Sequence, residues 1–392
     1  MKWKTIELGE VATIVSGSTP KTGVAEYWDG EIWWATPKDL SGIDSIYLTQ
    51  TAQRITDAGL KSCSSRMLPT GSVLFSSRAP IGHVAINAMP VCTNQGFKSL
   101  IPDSERLNNK FLYFWLRANR AYLDSLGNGA TFKEVSKAIV EKVEIPLPPL
   151  AEQERLAAIL DRADALRRLR RESLERLDEL AQSLFLELFG DPATNPKGWP
   201  VVKLGQALTV TGGYAFRSDL FSELGAGIVR ISNIQGGVVK LDNLAKIPLE
   251  QLGAGTRYAV EGGDVLIAMS GATTGKIGIV PTTLDGKLFL NQRVGNIKPI
   301  ANKSTVRFVS ALLESSFFQR WIKELAWGAA QPNISGKQIE SIPIPLPPLP
   351  LQQQFATQIE ELEALKTRAR LSLTELDALF AALQHRAFAG EL

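Results

Sequence analysis

The chain has 392 residues, 44% hydrophobic and 21% charged, with a formal net charge of +3 and two cysteines. This is the composition of a soluble globular protein of two or three domains. It excludes a disulfide framework, since Cys63 and Cys92 suit a reducing cytoplasm, and a membrane span, since no apolar run approaches roughly 18 residues. Met1-Lys2-Trp3-Lys4-Thr5 runs straight into a strand pattern, unlike a signal peptide.

The charge is unevenly spread. Residues 1–150 carry 16 basic and 14 acidic side chains, 151–188 carry 7 and 9, 189–349 carry 16 and 11, and 350–392 carry 4 and 6. A polyanion would prefer the first and third segments, and the other two are free for different partners. Chance variation in composition is the alternative reading.

In chain order, the first 150 residues are rich in Gly, Thr, Ser, Val and Ile, with short apolar runs between turn residues. Pro69-Thr70-Gly71 introduces a strand over 72–75. Phe111, Leu112, Phe114, Trp115 and Leu116 predict a helix over 109–121. Ile145-Pro146-Leu147-Pro148-Pro149-Leu150 follows, stiff and extended because proline fixes φ and bars its predecessor from the helix. Use as a proline-rich ligand is the other reading.

From 151 the spacing becomes helical, with Leu156, Ile159, Ala163, Leu166, Leu177, Leu180, Leu184 and Leu188 in a heptad-like seam. Glu152 and Glu154 suit the N-terminal end of the helix dipole and Gly190 the stop. The rod would be about 57 Å long.

The second half repeats this plan. Trp199 and Leu204-Gly205 answer Trp3 and Leu8-Gly9, and Gly262-Gly263 introduces a strand over 264–268. Phe308, Leu312, Phe317 and Trp321 predict helix over 306–325. The hexapeptide returns as Ile344-Pro345-Leu346-Pro347-Pro348-Leu349, and Pro350 suits a first helical turn. The second seam comprises Phe355, Ile359, Leu362, Leu365, Ala369, Leu376, Leu379, Leu383 and Ala387, before Gly390. A period of about 200 residues means duplication of a whole domain-plus-helix unit, not a solenoid.

Helices this long and narrowly striped need a partner, and each is the other's nearest candidate. A two-fold relation would run them antiparallel; alternatively each folds back on its own block. The predicted fold is α+β: two tandem domains with mixed β-sheet and short helices, at 1–150 and 190–349. They are separated by two long antiparallel coiled-coil helices, at 151–189 and 350–392, with pseudo-two-fold symmetry.

Chemistry is sparse. His83 and His385 are the only histidines. His385 sits near a helix end where a cation suits the dipole, and His83 either touches a phosphate or is structural. These two histidines and two cysteines lack metal-ligand spacing, and no Ser/His/Asp arrangement can be built. Gly271-Ala272-Thr273-Thr274-Gly275-Lys276-Ile277 misses the G-x4-G-K-[ST] phosphate loop by one residue in spacing, with Ile277 in place of the hydroxyl. A Gly/Thr turn with a lysine still suits a DNA phosphate or base edge. No catalytic or metal-binding residue is expected.

Taken together, the motifs resemble the specificity subunit of type I restriction–modification systems over the whole chain. In the first half they are Leu8-Gly9, Gly71-Ser72-Val73-Leu74, Asn94-Gln95, Gly129-Ala130-Thr131-Phe132, and Ile145–Leu150 with Gln153-Glu154. In the second they are Leu204-Gly205, Gly263-Asp264-Val265-Leu266, Asn291-Gln292, Gln331-Pro332-Asn333, and Ile344–Leu349 with Gln352-Gln353. One departure is Ala329-Ala330-Gln331-Pro332 where the first half has Gly-Ala-Thr-Phe.

The resemblance implies a non-catalytic, cytoplasmic reader of double-stranded DNA. Each block would be a target-recognition domain for half of a bipartite, asymmetric site, with the helices as a ruler. Two adenine methyltransferase (modification) subunits and restriction/translocase subunits would be its partners. S-adenosylmethionine, ATP and Mg would belong to them, and the methylated adenine would flip into the partner's pocket. A non-enzymatic duplicated adaptor binding protein or glycan is the alternative.

Base reading needs Arg or Lys for guanine, Asn or Gln for adenine, and short hydroxyls or apolar groups for thymine. In the first block the candidates are Ser18, Thr19, Lys21, Thr36, Lys38, Ser77, Arg78, Asn94, Gln95 and Lys98. In the second they are Tyr214, Arg217, Arg230, Asn233, Thr273, Thr274, Lys276, Asn291, Gln292 and Arg293. Asn94-Gln95 and Asn291-Gln292 equally suit turn bracing. Expected helix-packing residues are Leu156, Ile159, Leu166, Leu177, Leu184, Phe355, Ile359, Leu362, Leu376 and Leu383.

Overall fold

The structure, a computed structural model, describes residues 3–78, 80–128, 133–284, 286–326 and 332–392. The chain divides into two compact units. Unit 1 is Met1–Ser173 with Ala369–Leu392, and unit 2 is Leu174–Arg368. Each unit therefore holds one globular block and a segment of each long helix, Leu150–Phe189 and Leu349–Ala389.

In unit 1 a five-stranded sheet has the order Ala12–Ser16, Lys98–Pro102, Val73–Phe75, Val84–Asn87, Tyr47–Leu48. Its pairs are antiparallel except the last, which is parallel. A three-stranded sheet is centred on Trp28–Ala35. Unit 2 has sheets of six and four strands, each with one parallel pair. Mixed sheets with short helices are what the sequence predicted.

The hexapeptides are strands as well as spacers. Glu144–Pro146 pairs antiparallel with Thr5–Glu7, and Pro343–Pro345 with Val201–Lys203. Ile145 and Ile344 are fully buried, so the segments pack against their own cores and are not displayed as ligands.

The glutamine three residues past each hexapeptide explains why the motif extends that far. Gln153 is fully buried. Its Oε1 accepts the Asn108 N–H at 2.9 Å, and its Nε2 donates to the Arg106 and Pro148 carbonyls, both at 2.9 Å. Gln352 repeats this with the Thr305 N–H at 3.0 Å and the Lys303 and Pro347 carbonyls at 3.2 and 2.8 Å. Asn108 and Thr305 in turn cap the Asn109–Ala118 and Val306–Glu314 helices through their side chains. Each glutamine thus ties the start of a long helix to the start of a core helix. The predicted helices over 109–121 and 306–325 each break in two, at Asn119 and at Ser315. Ser315 caps the second piece, Ser316–Leu325.

Within each unit the long-helix segments run antiparallel. In unit 1, Arg155 donates to the Leu392 carbonyl, and Arg167 and Arg171 meet Asp377. In unit 2, Asp178 meets Lys366, and Phe185 and Phe189 meet Phe355. Each segment also packs on its block. Leu156 and Leu160 join Phe75, Phe111, Phe114 and Phe380 in one core, and Phe185 and Phe355 join Phe308, Phe318 and Ile344 in the other. Partner-helix packing and packing on the block thus coexist. Gly190 and Gly390 end the helices at φ of 78° and 76°, a conformation glycine adopts without a Cβ penalty.

The predicted seam needs correction at mid-helix. Leu156, Phe355 and Leu362 are buried, and Ile159, Leu177, Leu184, Ile359, Leu376 and Leu383 half-buried. Leu166, however, is 49% exposed, and Leu180, Leu365 and Leu379 are similarly open. After Ala163 the inward face passes to Asp164 and Arg167, because a 3.6-residue turn drifts from a 3.5-residue repeat. Ion pairs fill the middle of the seam. Asp164 is buried and pairs with Arg167 at 3.0 Å, and Lys366 pairs with Glu363 at 2.9 Å and Asp178 at 2.8 Å. Counted from Gln153 and Gln352, Asp164 matches Glu363 and Arg167 matches Lys366.

Candidate nucleic-acid interface

Five segments far apart in sequence meet at one edge of each block, held by backbone hydrogen bonds. In unit 1, Ser18 N–H donates to the Thr93 carbonyl at 2.9 Å and Asn94 N–H to Ala35 at 3.0 Å. Ser77 N–H donates to Gly96 at 2.8 Å and Val135 N–H to Ser77 at 2.9 Å. In unit 2, Tyr214 N–H donates to Leu290 at 2.9 Å and Asn291 N–H to Val229 at 3.0 Å. Met269 N–H donates to Arg293 and Ile334 N–H to Met269, both at 2.9 Å. The scaffold is the same twice over. Gly17 and Gly213 permit its closest approach, since a Cβ would lie 1.9 Å from the Asn94 carbonyl oxygen or 2.3 Å from that of Asn291.

Tryptophans fix the first loop of unit 1. The Trp34 and Trp28 indoles donate to the Ser18 and Lys21 carbonyls at 3.2 and 3.3 Å. In unit 2 the Tyr214 ring packs edge-on against Phe216, with centroids 5.1 Å apart, and beside Tyr258.

Lys21, Lys38, Arg78 and Gln95 are exposed in the first block, and Arg217, Lys276, Gln292 and Arg293 in the second. Ser18, Thr19, Tyr214, Arg230, Thr273, Thr274 and Asn291 are half-buried, the Thr19 hydroxyl bonding Gln95 and that of Thr274 the Gly271 carbonyl. Other expected readers serve the scaffold instead. Thr36 caps the Pro37–Ser41 helix with Asp39. Ser77 is fully buried against the Gly96 carbonyl. Asn94 Oδ1 accepts the Gly96 N–H at 2.9 Å, bracing its turn, and the buried Asn233 accepts the Arg230 N–H at 3.0 Å. Lys98 is buried on Glu134 at 2.9 Å. Gly129-Ala130-Thr131-Phe132, Gly328-Ala329-Ala330 and Gln331 lie outside the described residues.

Sequence reasoning missed Glu134, and named Asn333, at the matching position, only as part of a motif. Asn333 bridges to Ser270, as Glu134 does to Arg78. Glu134 receives the Arg78 Nε at 2.6 Å as well as Lys98. Burial pushes its carboxyl up, but hydrogen bonds from Lys98 and Arg78 and their charges outweigh burial and hold it below the ordinary carboxylate value. Its contribution is therefore present above the unfolded value near 4.5 and lost as pH falls through the lower folded value. Glu134→Gln should be less stable than the parent at pH 7, and the two should converge on acidification. Parallel stability curves across that range would refute the link.

In unit 2, the buried atoms Arg230 Nε, Ser270 Oγ and Thr273 Oγ1 have no hydrogen-bond partner among the described residues. Among the described residues no cluster of three or more His, Cys, Asp or Glu is placed to hold a metal, and no helix is long and apolar enough to cross a membrane.

The same loop edge built twice on one scaffold, each copy in a unit with paired long-helix segments, defines a protein made of a duplicated domain-plus-helix unit. A family model for the type I restriction modification DNA specificity domain matches residues 1–179 and again 196–374. The chain belongs to that family. It is 29% identical to the type I restriction enzyme MjaIX specificity subunit of Methanocaldococcus jannaschii, over 92% of this chain and 86% of that protein. The MjaVIII specificity subunit of the same organism is 24% identical, over 93% and 86%. The crystal structure of the type I restriction-modification system S subunit from M. genitalium shares the fold, with a TM-score of 0.61 at 17% identity, covering 98% of this chain and 96% of that one.

Proposed function

We propose that this chain is the DNA-reading subunit of a type I restriction–modification complex, each unit presenting its loop edge to one half of a bipartite, asymmetric site. The observation that carries this is one scaffold with two sets of side chains. Position by position, Ser18 answers Tyr214, Arg78 answers Ser270 and Gly96 answers Arg293. The same geometry with different donors and acceptors reads different bases. The chain carries no chemistry of its own in this reading. Methyltransferase and restriction/translocase subunits supply S-adenosylmethionine, ATP and Mg, and the exposed leucines of the long helices, Leu166, Leu180, Leu365 and Leu379, support docking of such partners. The cytoplasm is where such a complex would meet DNA.

Mapping methylated adenines genome-wide, with this gene intact or deleted and the methyltransferase retained, tests the proposal. Loss of one bipartite motif with a fixed gap is the expected result; an unchanged methylome would refute it. Within that motif, Arg217→Ala should affect only the half-site read by unit 2. Arg217 is exposed and held by Asp219 at 2.5 Å. The cost is about 1–3 kcal/mol for a bidentate guanine contact. Unchanged selectivity would remove Arg217 from the readers.

A further inference from the structure

A cleft of about 330 Å³ opens in unit 1, walled by Gly82 and His83 and by none of the expected base readers. Arg117, Arg120, Arg168, Arg171 and His83 line it, with Asp44 and Asp164. We infer that this cleft is a binding site for a phosphoryl oxyanion.

The first argument is charge. Asp164 is nearly fully buried and already meets Arg167 at 3.0 Å, Arg168 at 3.4 Å and Arg117 at 3.8 Å, while Asp377 is shared by Arg167 and Arg171. Five guanidiniums thus face three carboxylates, counting exposed Asp44, which leaves an excess of positive charge at an open mouth. The second is preorganisation. Arg120 Nε donates to the Ile81 carbonyl at 3.2 Å, which fixes the guanidinium plane. The arginine lies so close over Gly82 that a Cβ there would stand 2.5 Å from its Cγ. Planar, fixed guanidiniums match phosphoryl oxygens two at a time. Burial and the Arg120 charge lower the pKa of His83, so a neutral imidazole stands among the arginines as a further hydrogen-bonding group.

The third is the repeat. Counted from the capping residues Asn108 and Thr305, Arg117 corresponds to Glu314; counted from Gln153 and Gln352, Arg168 corresponds to Thr367. The same scaffold is built in unit 2 with Glu314 and Thr367 at these two places, so folding does not require Arg117 or Arg168, while Lys366 and Arg370 stand where unit 1 has Arg167 and Arg171.

The oxyanion has two possible sources: free phosphate, or the DNA backbone flanking the first half-site, the latter resting on the function proposed above. One set of full-length proteins separates them. Arg120→Gln with Arg171→Gln is the test variant, because Asp377 keeps Arg167 as a partner. Inorganic phosphate, titrated against chloride at equal ionic strength, should raise the melting temperature of the parent, with affinity about tenfold weaker in the variant. In the DNA arm, the slope of log Kobs against log salt should fall by about 1 in the variant, equally for DNA carrying the methylated motif and for a scrambled duplex.

A phosphate response alone assigns the site to free phosphate, and a slope change alone assigns it to the backbone. No change in either arm, in a variant as stable as the parent, overturns the site. If the double variant does not fold, the single Arg171→Gln protein carries both measurements. A parent that cannot distinguish motif from scrambled DNA would refute the proposed function, while the phosphate titration still decides the cleft.

Discussion

Replacing Gln352 with leucine should cost unit 2 about 3–5 kcal/mol of stability, as buried groups stranded at about 1–3 kcal/mol each. Leucine fills much of the volume but offers neither a donor nor an acceptor. The Thr305 N–H and the Lys303 and Pro347 carbonyls would lose the fully buried side chain that now partners them, the first two bonds being part-buried and the third buried. The neighbouring Gln353 is exposed, and Gln353→Leu should be nearly neutral. Gln153→Leu should repeat the loss in unit 1, because its three bonds are the same. Chemical denaturation of the four proteins measures this directly. Losses below about 1 kcal/mol would mean that the glutamines are incidental to the joint.

That joint was half legible. The hexapeptides and Gln153 and Gln352 stand out because they repeat, and proline chemistry explains the extended segment. What the glutamines hold could not be read, since two of the three partners of each lie 45 to 47 residues upstream in unit 1 and 47 to 49 in unit 2. The long helices were legible for a local reason, because apolar spacing of three and four residues is a property of neighbours. The middle of the seam was not. Leu166 has the apolar character the pattern rewards, yet Asp164 and Arg167 take the inward face, and a buried ion pair looks like a solvated one in sequence.

The loop edge shows the same limit more sharply. Its loops stand out in the sequence because Gly, Thr, Asn and basic residues cluster at turns. Which of them are free depends on long-range bonds. Arg78 and Lys98 read alike in sequence, but Glu134, 56 residues from Arg78 and 36 from Lys98, buries one lysine and steadies one exposed arginine. Asn94 and Asn291, shared by both halves, have matching backbone bonds, which favours the scaffold role for the pair.

Phe355→Ala should also cost about 3–5 kcal/mol, the range for emptying an aromatic site in a packed core. Phe355 is 1% exposed, its ring 5.8 Å from Phe185 and 5.2 Å from Phe189, and Phe308 lies 5.1 Å from Phe189. These four rings come from both long helices and the first core helix of the second block, so no single element can relax into the gap without leaving the others. The same core underlies the block that carries Arg217 and Lys276. At temperatures where the variant is partly unfolded, reading of the second half-site should fail while unit 1, with its separate core around Phe111, Phe114 and Phe380, stays protected. Hydrogen exchange resolved by unit checks this: protection should fall in 174–368 and persist in 3–173. Equal loss in both units would show that they unfold as one body, and half-site reading would then fail together.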